Sequence, residues 1–331
     1  MTAPEYPIDF VIPWVDGGDP AWLQKKQRYQ PELNVDVAAN RYRDWGTLRY
    51  WFRAVEQFAP WVNHIWLITD GQCPAWLSTA HEKLTLVDHR DYLPAEYLPT
   101  FSSHPIELNL HRIPGLADHF VYFNDDFFLL RSVEPTLFFR GGLPCDDAIL
   151  SPIIMDGGAE IGKVCAGNLQ VINTHFDKKT VMAQNRAGFF SLKYGTQLLR
   201  TICLLPWRHF PGFFNDHLPQ PFLKSTFEAL WEAEGALLSE VSSHRFRDYG
   251  NDVNQWLMRY WQLCTGQFVP VSPKRGVCFT DMCPEAAEVI RTQSRDMICI
   301  NDSSDVDFEQ NRALLHDAFE SILPQKSVFE L

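Results

Sequence analysis

Basic charge is what this chain most lacks. Across 331 residues, 29 Lys and Arg face 41 Asp and Glu, for a formal net charge of −12. With no cationic surplus to neutralise a phosphate backbone, neither a nucleic-acid binder nor an anionic-membrane binder is expected. The eight cysteines contain no CxxC pair and no repeated spacing. In a chain this long that pattern points to reduced thiols in the cytosol rather than a disulfide framework. Cys278 and Cys283 lie close together, but no second pair completes a zinc ligand set. No stretch approaches the roughly 20 apolar residues of a membrane span. The start, MTAPEYPIDF, lacks the basic region and apolar run of a signal peptide. The expectation is a soluble, cytoplasmic protein, with room for a peripheral place on the inner membrane. Gly-rich phosphate loops of the P-loop or dinucleotide type are absent, as is a GxSxG nucleophile elbow.

What is present is a foldable composition, 46% hydrophobic and 21% charged, with 11 Trp and 24 Phe. These proportions exclude bulk disorder and suggest aromatic-lined clefts as well as a large core. The first 130 residues alternate in period. Ile8 to Val15 reads as a strand stopped by Asp16-Gly17-Gly18-Asp19-Pro20. Trp45, Leu48, Trp51, Phe52, Val55 and Phe58 then recur at helical steps, with Asp44 placed to cap and Pro60 to stop. Further strands are expected over His64 to Thr69, Leu84 to Val87 and His119 to Phe123, with a helix from Ser103 to His111. After residue 140 the texture loosens. Gly141-Gly142 and Gly157-Gly158 bracket loop-like sequence, and Cys165 to Asn173 is read as another strand. Helices are expected from about Pro221 to Leu238 and from near Asp252 to Cys264. A strand over Met297 to Ile300, a turn at Asn301-Asp302-Ser303 and a helix carrying Phe308, Leu315, Phe319 and Leu323 close the chain.

Strands separated by helices imply an α/β fold with a mainly parallel sheet and a helical C-terminal half packed on it. Residues 1–140 form the α/β core in this reading, and 141–331 complete the same catalytic domain. Ligands of such sheets bind outside the carboxyl ends of the strands. There the sequence places Asp16 and Asp19, then Asp70, then Asp88, then Asn124-Asp125-Asp126, gathered into one acidic rim. Turn formation alone explains Asp70 and Asp88. It explains Asp125 and Asp126 poorly, because Phe127, Phe128, Leu129 and Leu130 follow, and carboxylates between apolar runs are costly to desolvate unless bound to something. Asp125 and Asp126 are candidates to hold a divalent cation, or one of them to act as a base. His217, at a loop-to-helix entry, is a candidate proton donor or acceptor. Arg247 and Arg186 are candidates for phosphate recognition. Each has a plainer competitor, a structural histidine or a solvated ion pair. Residue pattern alone leads to an α/β enzyme with an acidic, arginine-bearing cleft.

Longer strings carry a resemblance. IDFVIPWVDGGDP (8–20), RYRDWGTLRYWFRAVEQFAPWVNHIWLITDGQCPAWL and LPTFSSHPIELNLHRIPGLADHFVYFNDDFFL (within 41–139), DHLPQPFLKSTFEALWE with SSHRFRDYGNDVNQWLMRYWQLCTG, and ICINDSSDVDFEQNRALLHDAF resemble, in order, the conserved regions of the Stealth family. That family includes bacterial capsular polysaccharide phosphotransferases and the animal GlcNAc-1-phosphotransferase. The resemblance implies a Rossmann-like, glycosyltransferase-A-related domain. It also implies transfer of a sugar-1-phosphate from a nucleotide-diphosphate sugar, UDP-GlcNAc or similar, to a hydroxyl of a glycan or glycolipid acceptor in capsule or exopolysaccharide synthesis. Carried over residue by residue, it implies catalytic roles for Asp126, His217, Arg247 and, on a weaker local match, Arg186. Asp16, Trp14 and Asp125 are implied at the nucleotide, with Mg²⁺ or Mn²⁺ on Asp125 and Asp126. Asp16 stands where many members carry Asn. The base for the acceptor hydroxyl stays open between Asp126 and His217. Two other readings stay open as well: glycosyl transfer with release of a nucleoside diphosphate, and a non-catalytic nucleotide-sugar or glycan-binding protein.

Overall fold

A computed structural model describes residues 4–30, 42–155, 160–280, 282–302 and 307–331. Gly157-Gly158 and Ser303 lie outside the described residues. The central sheet is assembled from β1 (Ile8–Pro13), β2 (Ile65–Thr69), β3 (Leu84–Asp88), β4 (His119–Tyr122) and β8 (Gln220–Leu223), in the order β3-β2-β1-β4-β8. β1, β2, β3 and β4 pair in parallel, and β8 closes the edge antiparallel to β4. Strand order reverses between β1 and β4, which creates the crevice where α/β sheets bind their ligands. β1 and β2 are nearly continuous apolar runs because both faces are covered.

The connecting helices include α1 (Pro20–Tyr29), α2 (Leu48–Phe58) and α3 (Ser103–Leu108). Asp19 caps α1 through the Ala21 amide at 2.8 Å. α2 begins three residues after its expected start region. Its N-cap is Thr47, and Asp44 instead closes a local turn by accepting from the Gly46 amide at 2.7 Å. Trp51 of α2 packs against Phe10 and Phe123 of the sheet layer, and Phe52 and Val55 are buried in the same core.

A second sheet runs β10-β11-β5, from β5 (Phe127–Leu129), β10 (Gly276–Thr280) and β11 (Met297–Asn301). β10 and β11 are parallel, and β5 is antiparallel to β11. β6 (Phe139–Arg140), β7 (Leu143–Asp146) and β9 (Val269–Pro270) form a small third sheet. The remaining helices are α4 (Glu160–His175), α5 (Lys178–Gln184), α6 (Arg186–Phe189), α7 (Leu198–Cys203), α8 (Lys224–Ser242), α9 (Gln255–Cys264), α10 (Cys283–Thr292) and α11 (Phe308–Ile322). β8 completes the first sheet and β11 pairs with β5, so both sheets take strands from either side of residue 140.

Two expectations are corrected. Cys165 to Asn173 is helical within α4, because Val164, Asn168, Val171 and Ile172 are buried at three- and four-residue steps. Gly167 in that helix lets α4 approach the Asp252 carbonyl so closely that a Cβ there would lie 3.1 Å from the oxygen. The helix expected from Pro221 starts at Lys224, since Gln220 to Leu223 pair with β4. Pro221 is tolerated there because β8 is an edge strand, where a missing N–H costs no ladder bond.

Candidate active site

The cleft of about 930 Å³ opens at the carboxyl ends of β1 and β4, where strand order reverses. β1 delivers Trp14 to it, β4 delivers Asn124, Asp125 and Asp126, and the segment before β8 delivers His217. Arg247, from the loop between α8 and α9, lines the same space. Residues 93 positions apart thus meet: the Asn124 side-chain amide lies 3.4 Å from His217 Nε2.

Asp126 terminates the turn from β4 into β5, and its carbonyl accepts from the Ile300 amide of β11 at 3.0 Å. Its Oδ2 takes a contact from Cys299 Sγ at 3.5 Å, while Oδ1 is buried without a hydrogen-bond partner among the described residues. Burial raises its proton affinity, and the facing His217 partly offsets this. Asp125 is exposed to the solvent of the cleft it lines. Partial desolvation by the cleft walls, then the Asp126 and Asp44 carboxylates, raises its proton affinity. Asp44, also exposed, is likewise raised, by partial desolvation first and by Asp16. The Trp14 indole N–H is turned toward Asp44 without completing a well-formed hydrogen bond.

His217 adopts φ 48°, a left-handed backbone uncommon outside glycine and asparagine. Such conformations persist where the surroundings over-determine them. Here Arg259 of α9, fully buried, donates to the Phe214 carbonyl at 2.8 Å and to Asn215 Oδ1 at 2.9 Å. Its Nε binds Asp146 Oδ2 at 2.9 Å. Arg275 faces Asp216 Oδ2 at 3.6 Å and donates to the Cys145 carbonyl at 2.7 Å. The His217 ring stands edge-on to Phe127, with centroids 5.0 Å apart. Its Nδ1 lies 3.2 Å from Asn301 Nδ2, 3.6 Å from Cys299 Sγ and 3.9 Å from Cys278 Sγ. Burial alone would lower the proton affinity of this ring. Contact with Cys278 and the Asp126 charge outweigh it, and the net shift is upward. The Cys278 thiol is lowered to about 5, by hydrogen bonding from Cys299 and then from His217.

Arg247 donates to Ser103 Oγ at 3.0 Å, which fixes its guanidinium on the opposite wall. Arg186 is not brought to the cleft. It starts the short helix α6, exposed, beside a separate depression lined by Lys178 and Lys179. Asp16 does not line the cleft either; its carboxylate accepts from the Gly18 amide at 2.8 Å, and Gln72 ties its backbone down. Sequence reading missed Asp44 as a cleft acid, Arg43 with its bidentate Asp302 partner at 2.6 and 2.9 Å, and the Cys278 and Asn301 wall with the buried Cys299 behind it. It missed too the His104–Asp252–His244 relay, 2.7 Å at each contact, behind the Arg247 loop.

The cleft is strongly acidic: eight carboxylate residues line it against two guanidiniums, Arg43 and Arg247. Among the described residues no Lys or Arg pairs with Asp125 or Asp44 within salt-bridge distance. Asp125 and Asp44 offer the cleft oxygen donors only, the type a hard divalent cation takes. The donors around Asp126 are different, sulfur and imidazole.

Three conserved regions of one family match the chain: Stealth protein CR1, conserved region 1, over residues 6–33; CR2, conserved region 2, over 41–144; and CR4, conserved region 4, over 288–331. The segment carrying His217 lies between the second and third of these matches and is covered by full-length relatives. The chain is 40% identical over 329 residues to "Capsular polysaccharide phosphotransferase WcwK" of Streptococcus pneumoniae, covering 98% of each chain. It is 43% identical to "Receptor polysaccharide phosphotransferase WefC" of Streptococcus gordonii, covering 98% of this chain and 99% of that one. It is also 43% identical to "Exopolysaccharide phosphotransferase cps2G" of Lactiplantibacillus plantarum, over 100% of this chain and 98% of that one. With full-length identity at this level and three conserved regions in order, the chain belongs to the Stealth family.

Proposed function

We propose that this protein is a polysaccharide phosphotransferase, moving a sugar-1-phosphate from a nucleotide-diphosphate sugar to a hydroxyl of a growing glycan or glycolipid in capsule or exopolysaccharide synthesis. The observation that carries the reading is the meeting of Asp125, Asp126, His217 and Arg247 in one cleft, in a chain whose full-length relatives bear that name. We place the reaction in the cytoplasm, at or near the membrane. Among the described residues no helix is long and apolar enough to cross it.

Phosphoryl transfer asks a protein for in-line positioning and for charge stabilisation around the transferred group. Arg247, fixed by Ser103, meets the second need as a bidentate donor. His217 adds a proton donor or acceptor whose Nε2 faces Asn124. Asp126, with one oxygen unpartnered, is the other candidate to take the acceptor hydroxyl's proton. Two guanidiniums do not neutralise a diphosphate amid eight acids. Asp125 with Asp44 would hold a Mg²⁺ or Mn²⁺, which supplies positive charge at the diphosphate when bound.

The test is a panel of nucleotide sugars with a glycan acceptor, with and without divalent cation, in which the released nucleotide is identified. Nucleoside monophosphate supports sugar-phosphate transfer. Nucleoside diphosphate shows ordinary glycosyl transfer instead, and tight donor binding with neither product shows a binding protein.

A further inference from the structure

The geometry points to a site for a zinc-class cation formed by His217 Nδ1, Cys278 Sγ and Cys299 Sγ, with the fourth tetrahedral position toward the cleft beside Asp126. This site is distinct from a hard-cation site at Asp125 and does not depend on the transferase reading. Cys278 and Cys299 are direct neighbours in the parallel register of β10 and β11, so both thiols project from the same side of that sheet. His217 arrives from the segment before β8, and Asp126 from the turn into β5. The three N and S atoms lie within 4.8 Å of one another. Cys299 Sγ is 3.6 Å from His217 Nδ1 and 3.5 Å from Asp126 Oδ2, and Cys278 Sγ is 3.9 Å from Nδ1. Tetrahedral zinc with sulfur at ~2.3 Å and nitrogen or oxygen at ~2.0–2.1 Å requires donor-to-donor edges of about 3.5–3.8 Å. The two edges from His217 Nδ1 to the cysteines, 3.6 and 3.9 Å, lie close to that spacing before any ion arrives.

Donor softness decides the class of ion. Two thiolates and an imidazole select zinc or cobalt over magnesium or manganese, which prefer oxygen. An entry path exists, because Asp126, His217 and Cys278 all face the cleft. Asn301 Nδ2, 3.2 Å from Nδ1 and 3.8 Å from Cys278 Sγ, has to swing aside. Binding releases to solvent the Cys299 thiol proton and any proton on His217 Nδ1. With Nδ1 coordinated, the ring's remaining proton sits on Nε2, and His217 becomes a fixed donor toward the cleft.

The experiment is a Co²⁺ titration of the reduced, chelator-treated full chain. We expect a thiolate-to-cobalt charge-transfer band and the intense visible bands of tetrahedral cobalt, saturating at about one equivalent. Zn²⁺ should bleach both. The Cys278→Ser/Cys299→Ser variant should lose the bands, and each single variant should bind at least about tenfold more weakly. A wild-type measurement guards against misfolded variants. One equivalent of Zn²⁺ should protect the cleft-facing Cys278 from alkylation while the exposed Cys73 and Cys203 stay reactive. Absence of the charge-transfer band, its persistence in the double variant, or equal alkylation of Cys278 with and without Zn²⁺ overturns the site.

Discussion

Replacing Arg259 by Met should both destabilise the protein and disable the candidate site, although Arg259 does not line the cleft. The guanidinium is 1% exposed and donates to Asp146, the Asp147 carbonyl, the Phe214 carbonyl and Asn215 Oδ1. Breaking a buried ion pair by removing one partner costs about 3–5 kcal/mol, because the other charge stays behind. Asp146 keeps Gln220 Nε2 at 2.9 Å, the Asp147 amide at 2.7 Å and Arg275 at 3.8 Å, which argues for the lower end. The Phe214 and Asn215 acceptors lose their donor, which adds about 1 kcal/mol each if no water replaces it. A loss of about 3–5 kcal/mol is therefore expected from urea unfolding, read as a shift in midpoint at constant slope. Because Phe214 and Asn215 precede His217 and its φ of 48°, turnover should fall in the residual folded fraction, with donor affinity much less affected. The Arg259→Lys variant should recover part of the stability by keeping the charge, and little of the turnover, since a single ammonium cannot span the fork. A destabilisation below about 1 kcal/mol with wild-type turnover would refute the claim that this buried arginine positions the histidine loop.

Asp147 is fully buried, with neither carboxylate oxygen hydrogen-bonded among the described residues and Arg259 only at 3.7 Å, and burial pushes it up to about 8. A carboxyl raised above its unfolded value costs stability progressively as pH rises from about 4 toward the folded value. Asp147→Asn should accordingly be more stable than wild type, with the gain larger at pH 8 than at pH 5 in urea titrations; a gain that shrinks with pH contradicts the neutral-acid assignment. His217→Ala should lower kcat by ~10²–10⁴ with donor binding retained, and turnover within about threefold of wild type removes His217 from the chemistry. Arg247→Ala should weaken both donor binding and kcat, whereas Arg186→Ala, outside the cleft, should leave both unchanged in the same assays. Chelation should weaken donor binding measured by calorimetry, with recovery on Mg²⁺ or Mn²⁺, and Asp125→Asn should raise the cation concentration needed. Unchanged donor affinity in chelator removes the cation from the seat.

Much of the core was legible because its signals are local. Each of the first four parallel strands is an apolar run stopped by its own Asp or Asn, and α2, α9 and α11 announce themselves by burial at helical steps. The acids after β4 face the crevice where strand order reverses, which is why Asp125 and Asp126 were found, whereas Asp16 after β1 turns into a local loop. What escaped were features whose partner is distant. The Gln220 to Leu223 segment is a strand only because β4 offers an edge, and otherwise reads as the first turn of α8. Arg186 and Arg247 are chemically equal in sequence; Ser103 anchors one in the cleft, and nothing brings the other there.

The thiol wall shows the same rule at its sharpest. Cys278 and Cys283 are near in sequence and part in space, since Cys283 opens α10 and buries in the core while Cys278 stays on β10. The crossover through α10 returns the chain parallel to β10, and that register, set by burial of Met297 and Ile298, lays Cys299 beside Cys278. A slip of one residue would turn Cys299 to the opposite face and put Ile298 or Ile300 against His217. The sulfur donors of this site are thus specified by the apolar residues around them, through sheet register, and spacing along the chain carries no trace of the pair.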